Sequence, residues 1–332
     1  MYIPSFCKTR LKGNHRAFTG IFYICVMHPI KIAVHGGAGT MPKRLMTPEI
    51  EKACHNALQN ALQVGYELMK QGGSAVDAVE AAVMVLENFE LFNAGKGAVF
   101  THEGKHEMDA SIMDGKTKHS GAVAAVNNIK NPVSLAKAVM LHSEHVLLLG
   151  AGAEVFAKQQ NIAFETDEYF FTQFRYDQLA KAKQRDIIVL DHVDDKKFGT
   201  VGCVALDSNG NLAAATSTGG MTNKSFGRVG DSPIIGSGTY ANNATCAVSC
   251  TGHGEFFIEN VVAYDISCLL EYKGLSLNEA CELVINHKLK SIDAEGGLIA
   301  IDHNGNICLP FNTKGMYRGY RKGDDDIFTG IY

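Results

Sequence analysis

Tryptophan is absent from the 332 residues, only seven prolines occur, and no apolar run reaches the length of about 18 residues that a membrane-spanning helix requires. Neither sign of charge dominates, because 31 Lys+Arg stand against 35 Asp+Glu, a formal net charge of −4. This balance argues against a nucleic-acid-binding protein. The 34 glycines and 46% hydrophobic content instead predict an enzyme-sized globular chain with many tight turns and a full core.

Cysteine is scattered rather than organised into a framework. The nine cysteines are odd in number and include no C-x-x-C pair, and Cys246 and Cys250 fall in a strand-like run. Disulfide-stapled proteins are usually short chains with dense, even cysteine usage. We therefore expect buried free thiols and a reducing, cytoplasmic location.

Residues 1–30 read as an N-terminal extension. Basic residues precede an apolar run from Ala17 to Met27, as in a signal peptide, but no small-x-small cleavage site follows. A loosely attached extension or an upstream start is therefore favoured over an export signal. The fold is expected to begin near residue 30, with residues 31–332 forming a single domain.

Periodicity predicts a mixed chain with few ambiguous segments. Helices are expected after Thr47-Pro48 and after Ser74, each with a capping residue, and at 132–142, 151–160, 256–272 and 277–289. Strands are expected at 31–35, in short runs between 97 and 126, and in hairpins pairing 201–206 with 212–217 and 298–302 with 307–311. The polar stretch Ala180–Lys197 is predicted to be a solvated linker.

Two motifs invite readings that their context does not support. His102-Glu-Gly-Lys-His106 has the zinc-protease spacing, which brings both imidazoles to one metal only on a helix, and here Gly104 and strand-like flanks predict a turn. Gly150-Ala-Gly152 follows an apolar run but lacks the third glycine of a dinucleotide-binding turn, since Val155 occupies that place.

Thr200 begins a predicted strand directly after the polar linker and Gly199. Threonine becomes an effective nucleophile when it is the first residue of a chain, since its own α-amino group, with a pKa near 8, then serves as the base. Cleavage before Thr200 would create that terminus, and glycine at the preceding position tolerates strained backbone angles. Taken alone, a Gly-Thr pair at this place is more often only a strand start.

Further motifs follow in order: His35-Gly-Gly-Ala-Gly39, Leu91-Phe-Asn-Ala-Gly95, Thr216-Ser-Thr-Gly-Gly220, Gly227-Arg-Val-Gly-Asp-Ser-Pro233, Tyr240-Ala-Asn-Asn243 and Thr251-Gly-His-Gly-Glu255. From about Lys31 to Tyr332 the chain therefore resembles the plant-type asparaginase/isoaspartyl peptidase family of N-terminal-nucleophile hydrolases. The resemblance implies an α+β fold, a four-layer αββα sandwich. It also implies a precursor that cleaves itself into an α chain ending at Gly199 and a β chain of residues 200–332.

The resemblance also implies roles for individual residues. Thr200 is the expected nucleophile and Thr218 its hydrogen-bonding neighbour, while Thr251 and the N–H of Gly252 form the oxyanion hole. The expected substrate-binding residues are Asn93, Arg228, Asp231, Thr251, Gly252 and Gly254. A guanidinium and a carboxylate three residues apart suit the two charges of an amino acid head group, whereas an exposed Arg–Asp ion pair without that role would contribute little stability.

The same resemblance implies a loop that binds a sodium-like ion through backbone carbonyls. The corresponding carbonyls are those of Leu86, Glu87, Phe89, Phe92, Ala94 and Lys96, and hard cations accept such oxygen ligands. Catalysis is expected to need no cofactor. Two αβ units are expected to pair, and the other partners are a small-molecule or dipeptide substrate, with no nucleic acid and no membrane.

Three functions remain in competition. The first is hydrolysis of the side-chain amide of L-asparagine and of β-aspartyl dipeptides through an acyl-enzyme on Thr200. The second is a glycosylasparaginase, whose branch usually has Asp before the nucleophile and Asn between the Thr and Gly of the second motif, where this chain has Gly199 and Gly219. The third is an unprocessed, inactive homologue that acts as a binding protein. His253 is a departure from the family pattern and is read as a tolerated variant, not a base.

Overall fold

The computed structural model describes residues 28–39, 43, 46–184 and 199–332. Nine α-helices lie in these ranges: α1 Pro48–Lys70, α2 Ala75–Glu87, α3 Pro132–His142, α4 Gly150–Gln159, α5 Asp167–Phe170, α6 Gln173–Gln184, α7 Gly254–Glu259, α8 Val262–Lys273 and α9 Leu277–Glu282. A π-helical segment, Leu283–Leu289, continues α9, and short 3₁₀ turns span Gly95–Gly97 and Lys290–Ile292.

Twelve strands in the described residues form two sheets. The strands are β1 Lys31–Ala38, β2 Met108–Asp114, β3 Ser120–Val126, β4 Leu147–Leu149, β5 Val201–Leu206, β6 Leu212–Thr218, β7 Thr239–Ala241, β8 Cys246–Gly252, β9 Gly296–Asp302, β10 Ile307–Cys308, β11 Met316–Arg321 and β12 Ile327–Gly330. The larger sheet has the order β12-β11-β1-β5-β6-β2-β3-β4, and the smaller has the order β10-β9-β8-β7. The predicted mixture of helices and strands is confirmed.

Alternation along the central strands divides the core into two clusters. In β1, Ile32 and Val34 pack with α1, α2 and α3, whereas Ala33 faces the opposite way, into a cluster with the smaller sheet, α8 and α9. In β5, Cys203 and Val204 divide in the same manner. Because successive strand side chains point to opposite faces, a strand that is apolar at every position is buried on both faces of its sheet.

Both predicted helix starts are confirmed. Thr47 caps α1 by accepting a hydrogen bond from the N–H of Ile50, with Pro48 in the first turn, and Ser74 caps α2 by accepting from the N–H of Asp77. These side chains satisfy donors that a helix leaves free at its N-terminus. The predictions for α3, α4 and the two hairpins also agree with the structure, apart from a second hairpin arm that ends at Cys308.

One predicted helix is wrong, because residues 256–272 are not continuous. Helix α7 ends at Glu259 and α8 begins at Val262, with Val261 in the left-handed region at φ 48°. The N–H groups of Ala263 and Tyr264 bond to the carbonyls of Ser237 and Gly236. A loop distant in sequence therefore takes the donors that would have continued the helix.

The predicted linker is wrong at its start, since residues 180–184 belong to α6. Residues 185–197 lie outside the described part of the chain, as does most of the extension 1–30. No element was predicted after Phe311, yet β11 pairs with β1 and with β12. The apolar alternation there is interrupted by Arg318, Arg321 and Lys322, so the sequence pattern does not predict the strand.

Within the described ranges, no helix is long and apolar enough to cross a bilayer. The cysteines in those ranges are all free, five of them buried (Cys54, Cys203, Cys246, Cys250, Cys281) and two half-buried (Cys268, Cys308). Burial raises the pKa of Cys54 and of Cys246 to about 12, so both thiols stay protonated and behave as small apolar side chains.

Candidate active site

The hydroxyl of Thr200 faces that of Thr218 across two neighbouring strands. The register of β5 against β6 pairs Val201 with Ser217, which brings the preceding Thr200 beside Thr218. Thr200 Oγ1 donates to Thr218 Oγ1 at 3.0 Å, and Thr218 Oγ1 also accepts the N–H of Gly220 at 3.0 Å. This second bond orients the Thr218 hydroxyl and leaves the lone pairs of Thr200 Oγ1 available.

The carbonyl of Thr200 is held by His35, a residue to which the sequence reading gave no individual role. His35 is fully buried, and burial lowers its pKa to about 3, so its ring is neutral. Nδ1 lies 3.0 Å from the Thr200 carbonyl, which only accepts, so Nδ1 carries the proton. Nε2 then accepts from Ser249 Oγ at 3.0 Å, and Ser249 is joined in turn to Thr216 at 2.6 Å. This buried chain of side chains fixes the backbone that carries Thr200.

The carbonyl of Gly199 accepts a hydrogen bond from the backbone N–H of Asn93 at 3.2 Å. The side chain of Asn93 has its own partners, because Nδ2 donates to the Gly220 carbonyl at 2.7 Å and Oδ1 accepts the N–H of Val99 at 3.0 Å. Asn93 therefore joins the loop after α2 both to Gly199 and to the segment that follows β6.

The end of β1 packs closely against the Gly199–Thr200 bond. Gly37 has φ 107°, and a Cβ atom placed on it would overlap the backbone of Gly199. The next residue, Ala38, donates its N–H to Thr251 Oγ1 at 3.2 Å. Only glycine permits this close approach in this backbone conformation, and the contact sets Thr251 beside the Gly199–Thr200 bond.

Arg228 and Asp231 converge where Gly254 lacks a side chain. A Cβ atom on Gly254 would lie 2.8 Å from Nη2 of Arg228 and 3.1 Å from Oδ1 of Asp231. Asp231 is only 4% exposed, and its Oδ2 has no hydrogen-bond partner in the described residues. Burial raises the pKa of Asp231 to about 7, against the opposing charge of Arg228. A buried carboxylate without a partner is costly unless a ligand supplies one.

A buried ion pair lies behind the site and was not foreseen from the sequence. Asp109 stands opposite Thr218 in the register of β2 and β6, and its Oδ2 lies 4.0 Å from Nζ of Lys224. Both side chains are at most 1% exposed, and Nζ also donates to the carbonyl of Glu107 at 2.8 Å. Burial raises the pKa of Asp109, while the charge of Lys224 opposes that rise. Because Asp109 and Lys224 are 115 positions apart, no local sequence pattern predicts their contact.

One cavity brings these groups together. All the residues that the sequence analysis assigned to cleavage, catalysis and substrate binding line it: Asn93, Gly199, Thr200, Thr218, Arg228, Asp231, Thr251, Gly252 and Gly254. The rest of its wall is made of Ala38, Gly220, Met221, Gly230 and Ser232. The cavity thus combines a hydroxyl with cationic, anionic and hydrogen-bonding groups around a floor of small residues.

The loop proposed to bind an ion lies at the edge of this site. The carbonyls of Phe89, Phe92 and Ala94 each accept one N–H from within the loop, from Phe92, Ala94 and Gly97 respectively. A carbonyl has two lone pairs, so one such hydrogen bond does not by itself exclude a further partner. The guanidinium of the buried Arg175 binds the carbonyls of Gly97 and Leu91, neither of which is among the six candidate ligands.

The zinc-like motif does not form a metal site. Residues 101–107 form turns, as predicted, and the two histidines diverge. His102 Nδ1 lies 2.9 Å from Oδ1 of Asn223, while the His106 ring packs 4.0 Å from that of Phe100. In the described residues no group of three or more His, Cys, Asp or Glu side chains is placed to hold a metal. The Gly150-Ala-Gly152 segment lies in the first turn of α4.

Comparison with known proteins agrees with this geometry. A family model described as asparaginase matches residues 27–331. The chain is 53% identical over 306 residues to an isoaspartyl peptidase of Escherichia coli (strain K12), covering 91% of this chain and 95% of that protein. It is 43% identical over 307 residues to an isoaspartyl peptidase/L-asparaginase of Xenopus laevis, with 92% and 96% covered, and 41% identical over 306 residues to one of Bos taurus, also with 92% and 96% covered.

A mixed α and β fold with this polar cavity, together with these relatives, defines the class: the protein is a hydrolase. More particularly, the chain belongs to the asparaginase family. The resemblance predicted from the spaced motifs is therefore confirmed.

Proposed function

We propose that the protein hydrolyses the side-chain amide of L-asparagine and the isopeptide bond of β-aspartyl dipeptides, releasing L-aspartate. The observation that carries this proposal is the placement of Thr200 Oγ1 in the same cavity as the facing pair Arg228 and Asp231. The names of the relatives, isoaspartyl peptidase and L-asparaginase, indicate the same two substrates.

The first reaction is cleavage of the chain's own Gly199–Thr200 bond. Thr200 Oγ1 attacks the Gly199 carbonyl carbon, a C–O bond forms, the C–N bond breaks, and the hydroxyl proton passes to the released amine. The N–H of Asn93, already bonded to the Gly199 carbonyl, stabilises the negative charge that develops on that oxygen. Water then hydrolyses the ester, which leaves Gly199 as a carboxylate and Thr200 with a free α-amino group.

In the mature enzyme the α-amino group of Thr200 accepts the proton of its own hydroxyl, and Oγ1 attacks the side-chain carbonyl of the substrate. The Thr251 hydroxyl and the N–H of Gly252 stabilise the resulting oxyanion. Thr251 Oγ1 already accepts the N–H of Ala38, so its own proton is free to be donated into the cavity. Ammonia or an amino acid leaves after protonation, and water releases L-aspartate from the acyl-enzyme.

The protein recognises the head group of the substrate through its two charges. Arg228 binds the α-carboxylate, and Asp231, with the carbonyl of Gly254, binds the α-ammonium. The unpartnered Oδ2 of Asp231 supports this role, because an ammonium ion would satisfy it and favour the ionised carboxylate. Apart from water and the substrate, all the chemical groups in this scheme come from the chain itself, and we propose that catalysis needs no cofactor.

The finer architecture is proposed to be the αββα sandwich of N-terminal-nucleophile hydrolases. Two features support it. The larger sheet packs one face on α1, α2 and α3, and its other face shares a core cluster with the smaller sheet, α8 and α9. The nucleophile stands at the start of β5, in the middle of the larger sheet.

A glycosylasparaginase is the less favoured alternative. That branch usually has Asn where this chain has Gly219, and a Cβ atom on Gly219 would lie 2.5 Å from Oδ1 of Asn93 and 2.8 Å from the N–H nitrogen of Val99. These distances are too short for a side chain. An unprocessed binding protein is the other alternative. In such a protein the strained approach of Gly37 to the backbone of Gly199 would serve no function.

Two further features belong to the proposal. The carbonyls of Leu86, Glu87, Phe89, Phe92, Ala94 and Lys96 would hold a sodium-like ion, which would order the loop that carries Asn93.

Two αβ units are proposed to pair, and the apolar Leu147 and Leu149, both exposed on edge strand β4, support self-association. Sedimentation of the mature enzyme at twice the mass of one αβ unit is the expected result.

Mass spectrometry under denaturing conditions tests the proposed nucleophile. The wild-type protein is expected to give chains of 199 and 133 residues, about 21.5 and 14.4 kDa of the total 35.9 kDa, the smaller one beginning at Thr200. The Thr200→Ala variant is expected to remain a single chain without hydrolytic activity. A wild-type protein that hydrolyses L-asparagine while uncleaved would contradict the mechanism.

A further inference from the structure

The guanidinium of Arg228 is held along one edge by Glu255. Nε donates to Oε1 at 2.8 Å and Nη2 donates to Oε2 at 2.9 Å, which is the bidentate geometry of an arginine and a carboxylate. Partial burial alone would raise the pKa of Glu255, but the hydrogen bonds and charge of Arg228 outweigh it, and the pKa lies below its ordinary value. Glu255 is therefore ionised at neutral pH.

The opposite edge of the same guanidinium faces the cavity. A Cβ atom on Gly230 would lie 2.9 Å from Nη1, and one on Gly254 would lie 2.8 Å from Nη2. The free edge thus lies against two residues without side chains, next to Oδ1 of Asp231. A carboxylate entering this gap meets two N–H donors that Glu255 does not use, since a guanidinium has five N–H groups.

Two neighbours limit the positions that Glu255 takes. It follows the first residue of α7, so its backbone is helical, and His253 Nε2 lies 3.6 Å from Oε2. The ring of His253 packs edge-on against Phe256, with 4.7 Å between centroids. His253, the residue that departs from the family pattern, is thereby in a position to brace the carboxylate that holds Arg228.

We propose that Glu255 is a positioning residue for substrate binding. By taking the Nε–Nη2 edge, it turns the Nη1–Nη2 edge of Arg228 toward the α-carboxylate of the substrate, beside Asp231. This inference rests on the proposed function and adds which edge of the Arg228 guanidinium binds the α-carboxylate of the substrate. The Glu255 side chain is 46% exposed and neither it nor Arg228 belongs to a core cluster, so the expected effect is mainly on ligand binding.

Binding of three small acids separates this role from a general loss of structure. L-Aspartate carries both charges of the head group, succinate lacks the α-ammonium, and β-alanine lacks the α-carboxylate. Mature wild-type enzyme, Glu255→Ala and Glu255→Gln are titrated calorimetrically with each acid. Glu259→Gln, at an exposed glutamate of the same helix, is the matched control.

For Glu255→Ala we expect binding of L-aspartate and succinate to weaken about tenfold, the usual effect of losing one well-oriented charge-assisted contact. Binding of β-alanine is expected to remain unchanged. In hydrolysis of L-asparagine, KM should rise by a similar factor while kcat stays within about twofold, because the contact is made equally in the ground and transition states. Glu255→Gln keeps one acceptor and should lie between Ala and the wild type.

Equal affinities in wild type and Glu255→Ala would overturn the inference, and so would tighter binding of succinate by the variant, which would make Glu255 a competitor of the substrate. A matching loss for β-alanine would also overturn it, as a structural effect. Failure of the proposed function is read separately, as wild-type protein that neither cleaves itself nor hydrolyses L-asparagine. Wild-type protein that does not bind L-aspartate would remove both proposals together.

Discussion

At the scale of single residues, the site depends on two buried groups whose charge states are set by their surroundings. His35 is kept neutral by burial, with its pKa lowered to about 3, and this neutrality determines the direction of its hydrogen bonds to Thr200 and Ser249. Asp231 shows the opposite effect, since burial raises its pKa to about 7. His35 therefore holds the backbone of Thr200, the proposed nucleophile, without titrating, whereas Asp231 titrates near neutral pH.

The raised pKa of Asp231 predicts a pH-dependent affinity. Below about pH 7 the carboxyl is protonated and no longer attracts the α-ammonium of the substrate. We expect KM for L-asparagine to rise about tenfold between pH 8 and pH 6, which is the change for a single group with a pKa of about 7 whose ionised form alone binds the substrate. Steady-state kinetics across this range measure the change.

Two comparisons make this prediction specific. Inhibition by succinate, which has no ammonium, should not weaken as the pH falls. Asp231→Asn should have a high KM at every pH, without the rise below pH 7. A wild-type KM that is constant from pH 8 to pH 6 would show that Asp231 is ionised throughout and that its burial is compensated by another group.

At the scale of elements, the boundary between α7 and α8 shows how tertiary contacts override a local pattern. Residues 256–272 carry a helical pattern without glycine or proline, yet the chain breaks at Val261, a β-branched residue in the left-handed region. Such a conformation costs about 1–2 kcal/mol for a residue other than glycine. It persists because the next turn bonds to Gly236 and Ser237, in the loop between Asp231 and β7.

Replacing Val261 by glycine is expected to stabilise the fold. The substitution removes the backbone strain from the folded state. Glycine also raises the conformational entropy of the unfolded chain, which offsets part of this stabilisation. We expect the free energy of unfolding to rise by about 0.5–1 kcal/mol, and Tm to rise by about 2 °C. Thermal unfolding followed by circular dichroism measures both.

Val146→Gly is the control for this change. Val146 is 53% exposed, against 43% for Val261, and its φ is not positive. Glycine at position 146 should therefore leave stability unchanged or lower it. If Val261→Gly also destabilises the protein, the backbone at this position is not strained and the side chain of Val261 contributes packing instead.

At the scale of the whole molecule, the fold assembles the site from segments that are far apart in sequence. The proposed nucleophile, Thr200, directly precedes β5, and the histidine that supports it lies on β1. Thr251 lies on β8, and Asn93 belongs to the loop after α2. Pairing of β1 with β5, and of β5 with β6, sets the first of these positions. The shared core cluster between the sheets sets Thr251, which bonds to Ala38 of β1.

The predicted domain boundary near residue 30 gives a test at this scale. The N–H of His28 bonds to the carbonyl of Ser208, and the family match begins at residue 27. Deletion of residues 1–26 is therefore expected to leave self-cleavage, kcat, KM and Tm unchanged. Mass spectrometry, kinetics and thermal unfolding of the shortened chain provide the comparison, and a drop in Tm of several degrees would show that the extension is part of the fold.

The sequence by itself determined the elements with strong local signals, and its resemblance to a known family predicted the site residues. The spaced motifs indicated the proposed nucleophile Thr200 and its neighbours through their resemblance to a known family, whereas Thr47-Pro48 and Ser74 marked the starts of α1 and α2 directly. These signals are local because capping and alternation depend on residues a few positions apart.

Only the tertiary structure decided which groups meet. Asp109 contacts Lys224, His35 supports Thr200, and Glu255 turns Arg228, and none of these pairs has a periodic signature in the chain. The break at Val261 and the strands after Phe311 were likewise set by distant hydrogen-bond partners. Most buried polar groups are paired within a folded molecule, and the partner of each one is determined by strand register and packing, which no short stretch of sequence contains.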